Sequence, residues 1–147
     1  MNEHLKRFIA LMEALPNGIP ASFDEVIGNN IHFLDPFNDL RGREHYRAVM
    51  ADMIEKIDDL RIEIEAAAIT SRPEERPARA LVKWRLMGQL IELKHQPWDV
   101  SGCAEIAFDQ EGRVIQHWDY WDAAGQLYER LPLVGILLRA IKRRIAL

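Results

Sequence analysis

The sequence predicts an α+β domain with helices packed on one face of an antiparallel sheet, and three features carry that expectation. Apolar residues recur at helical spacing through the first third of the chain. After residue 59 the period drops to two, over strand-length segments separated by turn residues. There is no internal repeat and no interdomain linker, and 147 residues suit one core.

The elements follow in order. In residues 2–15, Leu5, Phe8, Ile9, Met12 and Leu15 mark a first helix, which Pro16, Asn17, Gly18 and Pro20 stop. Ser22-Phe-Asp-Glu25 has the spacing of a capping box and announces a short second helix, with Gly28 and Asn29 closing it. Residues 30–35 read as a short strand, because Pro36 pushes Asp35 towards extended geometry. Past Gly42, the residues Tyr46, Val49, Met50, Met53, Ile54 and Ile57 mark a third helix. Leu60, Ile62, Ile64, Ala66 and Ala68 then alternate as a strand. The charged, proline-bearing segment 71–77 is a hairpin loop. Ala80, Val82, Trp84 and Leu86 alternate in the next strand; Trp98, Val100, Ala104, Ile106 and Phe108 do so in the one after. Asp109-Gln-Glu-Gly112 is a tight turn with Gly available for positive φ, and residues 114–121 form the last strand.

Composition narrows the function classes. With 48% hydrophobic and 29% charged residues, the chain is neither disordered nor fibrous. Nineteen basic against 23 acidic residues leave a net charge of −4, which argues against nucleic acid as a main partner. Glu3, Lys6 and Arg7 interrupt any signal-peptide core, so a cytoplasmic location is expected. Cys103 is the only cysteine, excluding an internal disulfide and a cysteine-based zinc site. His4, His32, His45, His95 and His117 show no metal-ligand spacing, and no phosphate loop, dinucleotide fingerprint or nucleophile elbow occurs. No metal and no cofactor are expected.

Two places could carry chemistry. Asp35 follows the apolar residues Ile31, Phe33 and Leu34 and is held by Pro36. A carboxylate beside buried apolar surface pays desolvation and becomes a usable base near neutrality; the plainer reading is an Asp-Pro turn. His117-Trp-Asp119-Tyr-Trp121 is the second. Alternation puts His117, Asp119 and Trp121 on one face and Trp118 and Tyr120 on the other. The first set reads equally as an acid–base pair over an aromatic floor or as a cross-strand ion pair. The tail, residues 131–147, carries Leu133, Ile136, Leu137, Ala140, Ile141 and Ile145 as an apolar stripe beside Arg139, Lys142, Arg143 and Arg144. It is expected to be a helix that belongs to the same domain and docks its stripe on it or on a dimer partner, with peripheral membrane contact the less favoured alternative.

Taken together, Phe33-Leu-Asp35-Pro36, Gly42-Arg-Glu44, Phe108-Asp-Gln-Glu-Gly112-Arg-Val114 and Tyr120-Trp121 resemble the nuclear-transport-factor-two-like superfamily, in the branch of ketosteroid isomerase and SnoaL-like polyketide cyclases. The resemblance implies one cone domain over residues 1–130, a curved antiparallel sheet wrapped around the N-terminal helices, with an extra C-terminal helix. It implies a deep apolar pocket for a small apolar molecule, and a homodimer. It also places Asp35 where the isomerases hold their general base, and Trp121 in the pocket wall. The isomerases pair that base with a Tyr and a protonated Asp that hold the oxyanion. Here those positions fall at Leu11 or Met12 and at Ala104, and loss of one such donor typically costs about 10²–10³ in rate. SnoaL-like cyclases use an acid and a histidine, a pair that His117 and Asp119 match. The expected catalytic set is thus Asp35, His117 and Asp119, with Phe33, Trp84, Trp98, Ala104, Ile106 and Trp121 lining the pocket. Such a set would transfer a proton at carbon, as in an isomerase or cyclase; the rival is a non-catalytic ligand-binding or dimerisation module.

Overall fold

In a computed structural model, which describes residues 2–146, five α-helices, three short 3-10 turns and six strands follow one another. The helices are α1 (Glu3–Ala14), α2 (Phe23–Val26), α3 (Arg43–Lys56), α4 (Ala123–Gln126) and α5 (Pro132–Ile145). The strands are β1 (Ile27–Leu34), β2 (Asp39–Arg41), β3 (Ile57–Ile69), β4 (Ala78–Leu90), β5 (Gln96–Phe108) and β6 (Val114–Tyr120). They form one curved sheet in the order β2-β1-β6-β5-β4-β3.

The helical spacing in α1 turns Leu5, Phe8, Leu11 and Met12 onto the sheet, where each is at most 6% exposed. Opposite them stand Ala80, Val82, Ala104, Ile106, Phe108 and Val114, the inward residues of β4, β5 and β6. Burial of each large side chain in this layer contributes about 1.5–3 kcal/mol. Arg43 pins α3 by donating from Nη1 to the carbonyls of Asp24 (2.8 Å) and Ile27 (3.1 Å), while Arg47 pairs with the Asp24 carboxylate. That clamp sets the rotation of α3, so Tyr46 and Met50 point into the core. A second apolar cluster (Ile57, Leu60, Leu86, Trp98 and Val100) fills the other end of the sheet.

Several expectations need correction. β1 pairs parallel with β6, so the sheet is mixed rather than wholly antiparallel. β1 also begins at Ile27, taking in Gly28 and Asn29 instead of leaving them as a helix stop. No side-chain cap from Ser22 forms, because α2 has four residues and turns directly into the strand. The turn after β5 matches its expected form: Gly112 has φ +78, its N–H donates to the Asp109 carbonyl (3.1 Å), and Asp109 Oδ1 accepts from Arg113 N (2.8 Å). The tail is helical, but its stripe is not docked on the domain: Leu133, Ile136, Leu137 and Ile145 are 84%, 61%, 61% and 75% exposed. Only Gly135 and the half-buried Leu138 turn towards the body, while the exposed Arg139 and Lys142 reach back to Glu129.

Candidate functional site

The inward face of β6 meets α3 and β4 in a chain of hydrogen bonds. The Tyr46 hydroxyl lies 2.7 Å from His117 Nδ1, His117 Nε2 lies 3.2 Å from Asp119 Oδ1, and the Trp84 indole N–H donates to the same oxygen at 2.9 Å. A carboxylate only accepts, so Nε2 carries the imidazole proton and Nδ1 accepts from the phenol. Burial, and then the charge of Asp119, push the Tyr46 phenol well above its ordinary range, which keeps it a donor. The His117 ring is boxed by Phe8, Phe33 and Tyr46 at 5.4, 5.3 and 5.8 Å between centroids. Both its nitrogens are engaged inside the protein. Its ring lines a small hollow, but neither nitrogen is left without a protein partner.

Two hollows meet at Asp119 and Trp84. The smaller, about 80 Å³, lies under α1 between Phe8, Met12, Val82, Ala104 and His117. The larger, about 600 Å³, opens between α3, the outer ends of β4 and β5, and the segment after β6. Trp98 and Trp121 form one wall of it, edge to face at 5.9 Å, and Phe37 packs on Trp121 at 5.5 Å. Gly102 makes the wall possible: a Cβ there would stand 2.6 Å from Trp84 Cζ2 and 2.9 Å from Trp121 Cβ. Asp52, Lys56 and Glu92 stand at the rim, Lys56 and Asp52 paired at 2.9 Å.

Asp35 also lines the larger cavity, but in a turn of its own. Its Oδ1 accepts from the Phe37 N–H (2.8 Å), the Asn38 N–H (2.6 Å) and the Asn38 side-chain amide (3.0 Å). Phe33, Trp84, Trp98 and Trp121 line this cavity and Ala104 lines the smaller one. Ile106 is the exception: it is completely buried between α1 and the sheet and faces neither hollow, so it belongs to the core. Trp118 and Tyr120 lie on the outer face, where the Trp118 indole N–H donates to His32 Nδ1 at 3.2 Å. Tyr46 was missed by reading the sequence, since it occupies one position of an apolar stripe. The signal available was chemical: a tyrosine on a buried helix face needs a partner for its hydroxyl. Tyr128 was missed as well; it lines the larger cavity and packs edge to face against Phe37 at 6.2 Å.

A curved mixed sheet enclosing a ligand-sized hollow, with acidic and aromatic residues on its walls, defines a cone-type α+β protein. The chain belongs to the SnoaL-like domain family, whose model matches residues 7–117. No curated relative matches it. Among solved structures it is similar to a putative SnoaL-like polyketide cyclase from Jannaschia sp. CCS1, with 18% identity, a TM-score of 0.67 and coverage of 84% of this chain and 85% of that one. An LEH-like epoxide hydrolase from M. tuberculosis is 16% identical, with a TM-score of 0.67 and coverage of 95% and 92%. A protein with a ketosteroid isomerase-like fold from Catenulispora acidiphila is 15% identical, with a TM-score of 0.64 and coverage of 86% and 91%.

Proposed function

We propose that the protein binds a small, largely apolar ligand in the larger cavity and transfers a proton at one of its carbons, as an isomerase or cyclase does, without a cofactor. The observation that carries this reading is the chain Tyr46–His117–Asp119–Trp84, which ends in a carboxylate on the cavity wall. Both protein donors go to Oδ1, leaving Oδ2 of Asp119 for the ligand. Asp119 is the base in this reading. His117 and Tyr46 are positioning residues that fix its direction. Asp35 is the second carboxylate of the cavity, tied by its Oδ1 into the turn before β2. Tyr128, which lines the same cavity, is the donor to the oxygen on which negative charge develops in this reading. The outer face of the sheet, with Leu81 and Tyr120 about half exposed, is the surface assigned to a homodimer.

The test is exchange of the acidic C–H protons of an enolisable apolar ketone such as 2-tetralone for deuterium, followed by proton NMR. Wild type should accelerate exchange over buffer. Asp119→Asn should abolish the acceleration, and Tyr128→Phe should lower it by about 10²-fold, the loss typical of one oxyanion donor. Asp35→Asn should retain it, since the amide oxygen still accepts the three N–H groups of its turn. If Asp119→Asn exchanges as fast as wild type, the non-catalytic binding module replaces this reading. If only Asp35→Asn is inactive, the base is Asp35.

A further inference from the structure

The strongest unassigned feature is α5. Its Leu133, Ile136 and Leu137 are exposed on the side turned away from the body, Ala140 lies among them, and Ile141 borders a groove between α5 and the segment that holds Asp122, Ala124, Gly125 and Glu129. Two of its four cations are turned the other way: Arg139 Nη1 donates to the Glu129 carbonyl (2.7 Å) and Lys142 Nζ pairs with the Glu129 carboxylate (3.2 Å). Gly135 lets the helix approach that turn, because a Cβ there would stand 2.2 Å from the Glu129 carbonyl oxygen. α5 thus turns Gly135 and Leu138 towards the body, ties Arg139 and Lys142 to Glu129 at its flank, and presents Leu133, Ile136 and Leu137 outward. Arg143 and Arg144 remain exposed in the last turn. A monomer rarely leaves so many large apolar side chains together in water.

We propose that α5 lies along an anionic lipid surface. Its apolar side would sit at the headgroup–acyl boundary, with Arg143 and Arg144 reaching the phosphates. Charge argues for this occupant. The tail is a basic pole on a chain of net charge −4, since residues 132–147 hold four cations and no acidic residue. A second copy pairing α5 on α5 would bring these cations against a helix without a single carboxylate. A bilayer containing acidic phospholipid supplies the missing anions, and the acidic body beyond about 10 Å is screened from it by salt. The helix lies on the surface and does not cross: no helix among the described residues is long and apolar enough to span a membrane, and the 14 residues of α5 reach only about 21 Å. The anchor also adjoins the cavity. Leu131, the residue before α5, lines the larger hollow together with Leu127 and Tyr128.

The test is co-sedimentation of the full chain with vesicles of phosphatidylcholine containing one-third phosphatidylglycerol, against vesicles of phosphatidylcholine alone. Wild type should bind the anionic vesicles, and high salt should weaken the binding. Arg143→Gln with Arg144→Gln should weaken it about tenfold or more. Ile136→Gln with Leu137→Gln should abolish it with an unchanged circular dichroism spectrum, because both positions are 61% exposed and support no core. Binding that survives the Ile136/Leu137 change, or absence of vesicle binding by wild type, overturns the proposal. If wild type ignores vesicles and a sedimenting dimer is lost in the Ile136/Leu137 variant, the face belongs to a second copy.

Discussion

Replacing Tyr46 by Phe removes one oxygen from the core and leaves the shape of the side chain intact. Tyr46 is completely buried, and its hydroxyl lies 2.7 Å from His117 Nδ1. Without the phenol, a nitrogen of a histidine that is only 5% exposed loses its partner. Such a loss costs about 1–3 kcal/mol. For a chain of this size, about 2 kcal/mol corresponds to a fall in Tm of about 4–8 °C. A second signature appears in alkali. Burial holds the folded phenol well above its ordinary value of 10.0, whereas the unfolded phenol ionises near that value. The stabilising contribution of the neutral phenol is therefore complete below about pH 10. It declines by about 1.4 kcal/mol per pH unit above that, as the unfolded state alone loses its proton. The Tyr46→Phe variant would lack this component. Urea unfolding at pH 8 should show wild type about 2 kcal/mol more stable than the variant, and at about pH 11 the gap should shrink by about 1.4 kcal/mol. A gap of zero at pH 8, or one that does not change with pH, would refute the role given to the phenol.

Gly102→Ala should destabilise by about 1–3 kcal/mol, because its Cβ would collide with the Trp84 ring and, at 2.7 Å, with the Tyr120 carbonyl. Tryptophan emission should shift in the same variant, and an unshifted spectrum at wild-type stability would show that the wall tolerates the methyl group. A homodimer through the outer sheet face should sediment at about twice 17.0 kDa; Leu81→Lys with Tyr120→Lys should return it to the monomer, and a wild-type monomer at micromolar concentration sinks the assignment.

Local patterns made much of the architecture legible. The helical stripe of α1, the alternation in β4, β5 and β6, and the Asp109–Gly112 turn are written in neighbouring residues, and they lie where those patterns place them. The sidedness of β6 followed from its period of two: His117 turns inward, while Tyr120 turns out. What escaped reading depends on residues far apart in the chain. The parallel pairing of Phe33 with His117 joins segments with most of the sheet between them, and neither segment carries a local mark of its partner. The network of Tyr46, which spans 71 residues to His117, escaped for the same reason. The stripe of α5 was legible as apolar, but an amphipathic pattern says which side seeks cover and not what provides it.

The same contrast separates the two carboxylates of the cavity. Asp35 is oriented by donors within three residues of itself, so its position depends on one turn. Asp119 is oriented by Trp84 from β4 and by His117, which Tyr46 of α3 holds in turn. Its direction is fixed by three elements that assemble only in the folded core. A proton-transfer base must be held to within a fraction of an ångström, and rigid elements do this better than loops. In the proposed reading, the cost is that stability and chemistry share residues. Removing the His117 imidazole would unseat Asp119 and also strip the rings of Phe8, Phe33 and Tyr46 of their common neighbour. Stability and exchange activity should therefore fall together at His117, and separately at Asp119, where substitution by Asn keeps the shape and removes the charge.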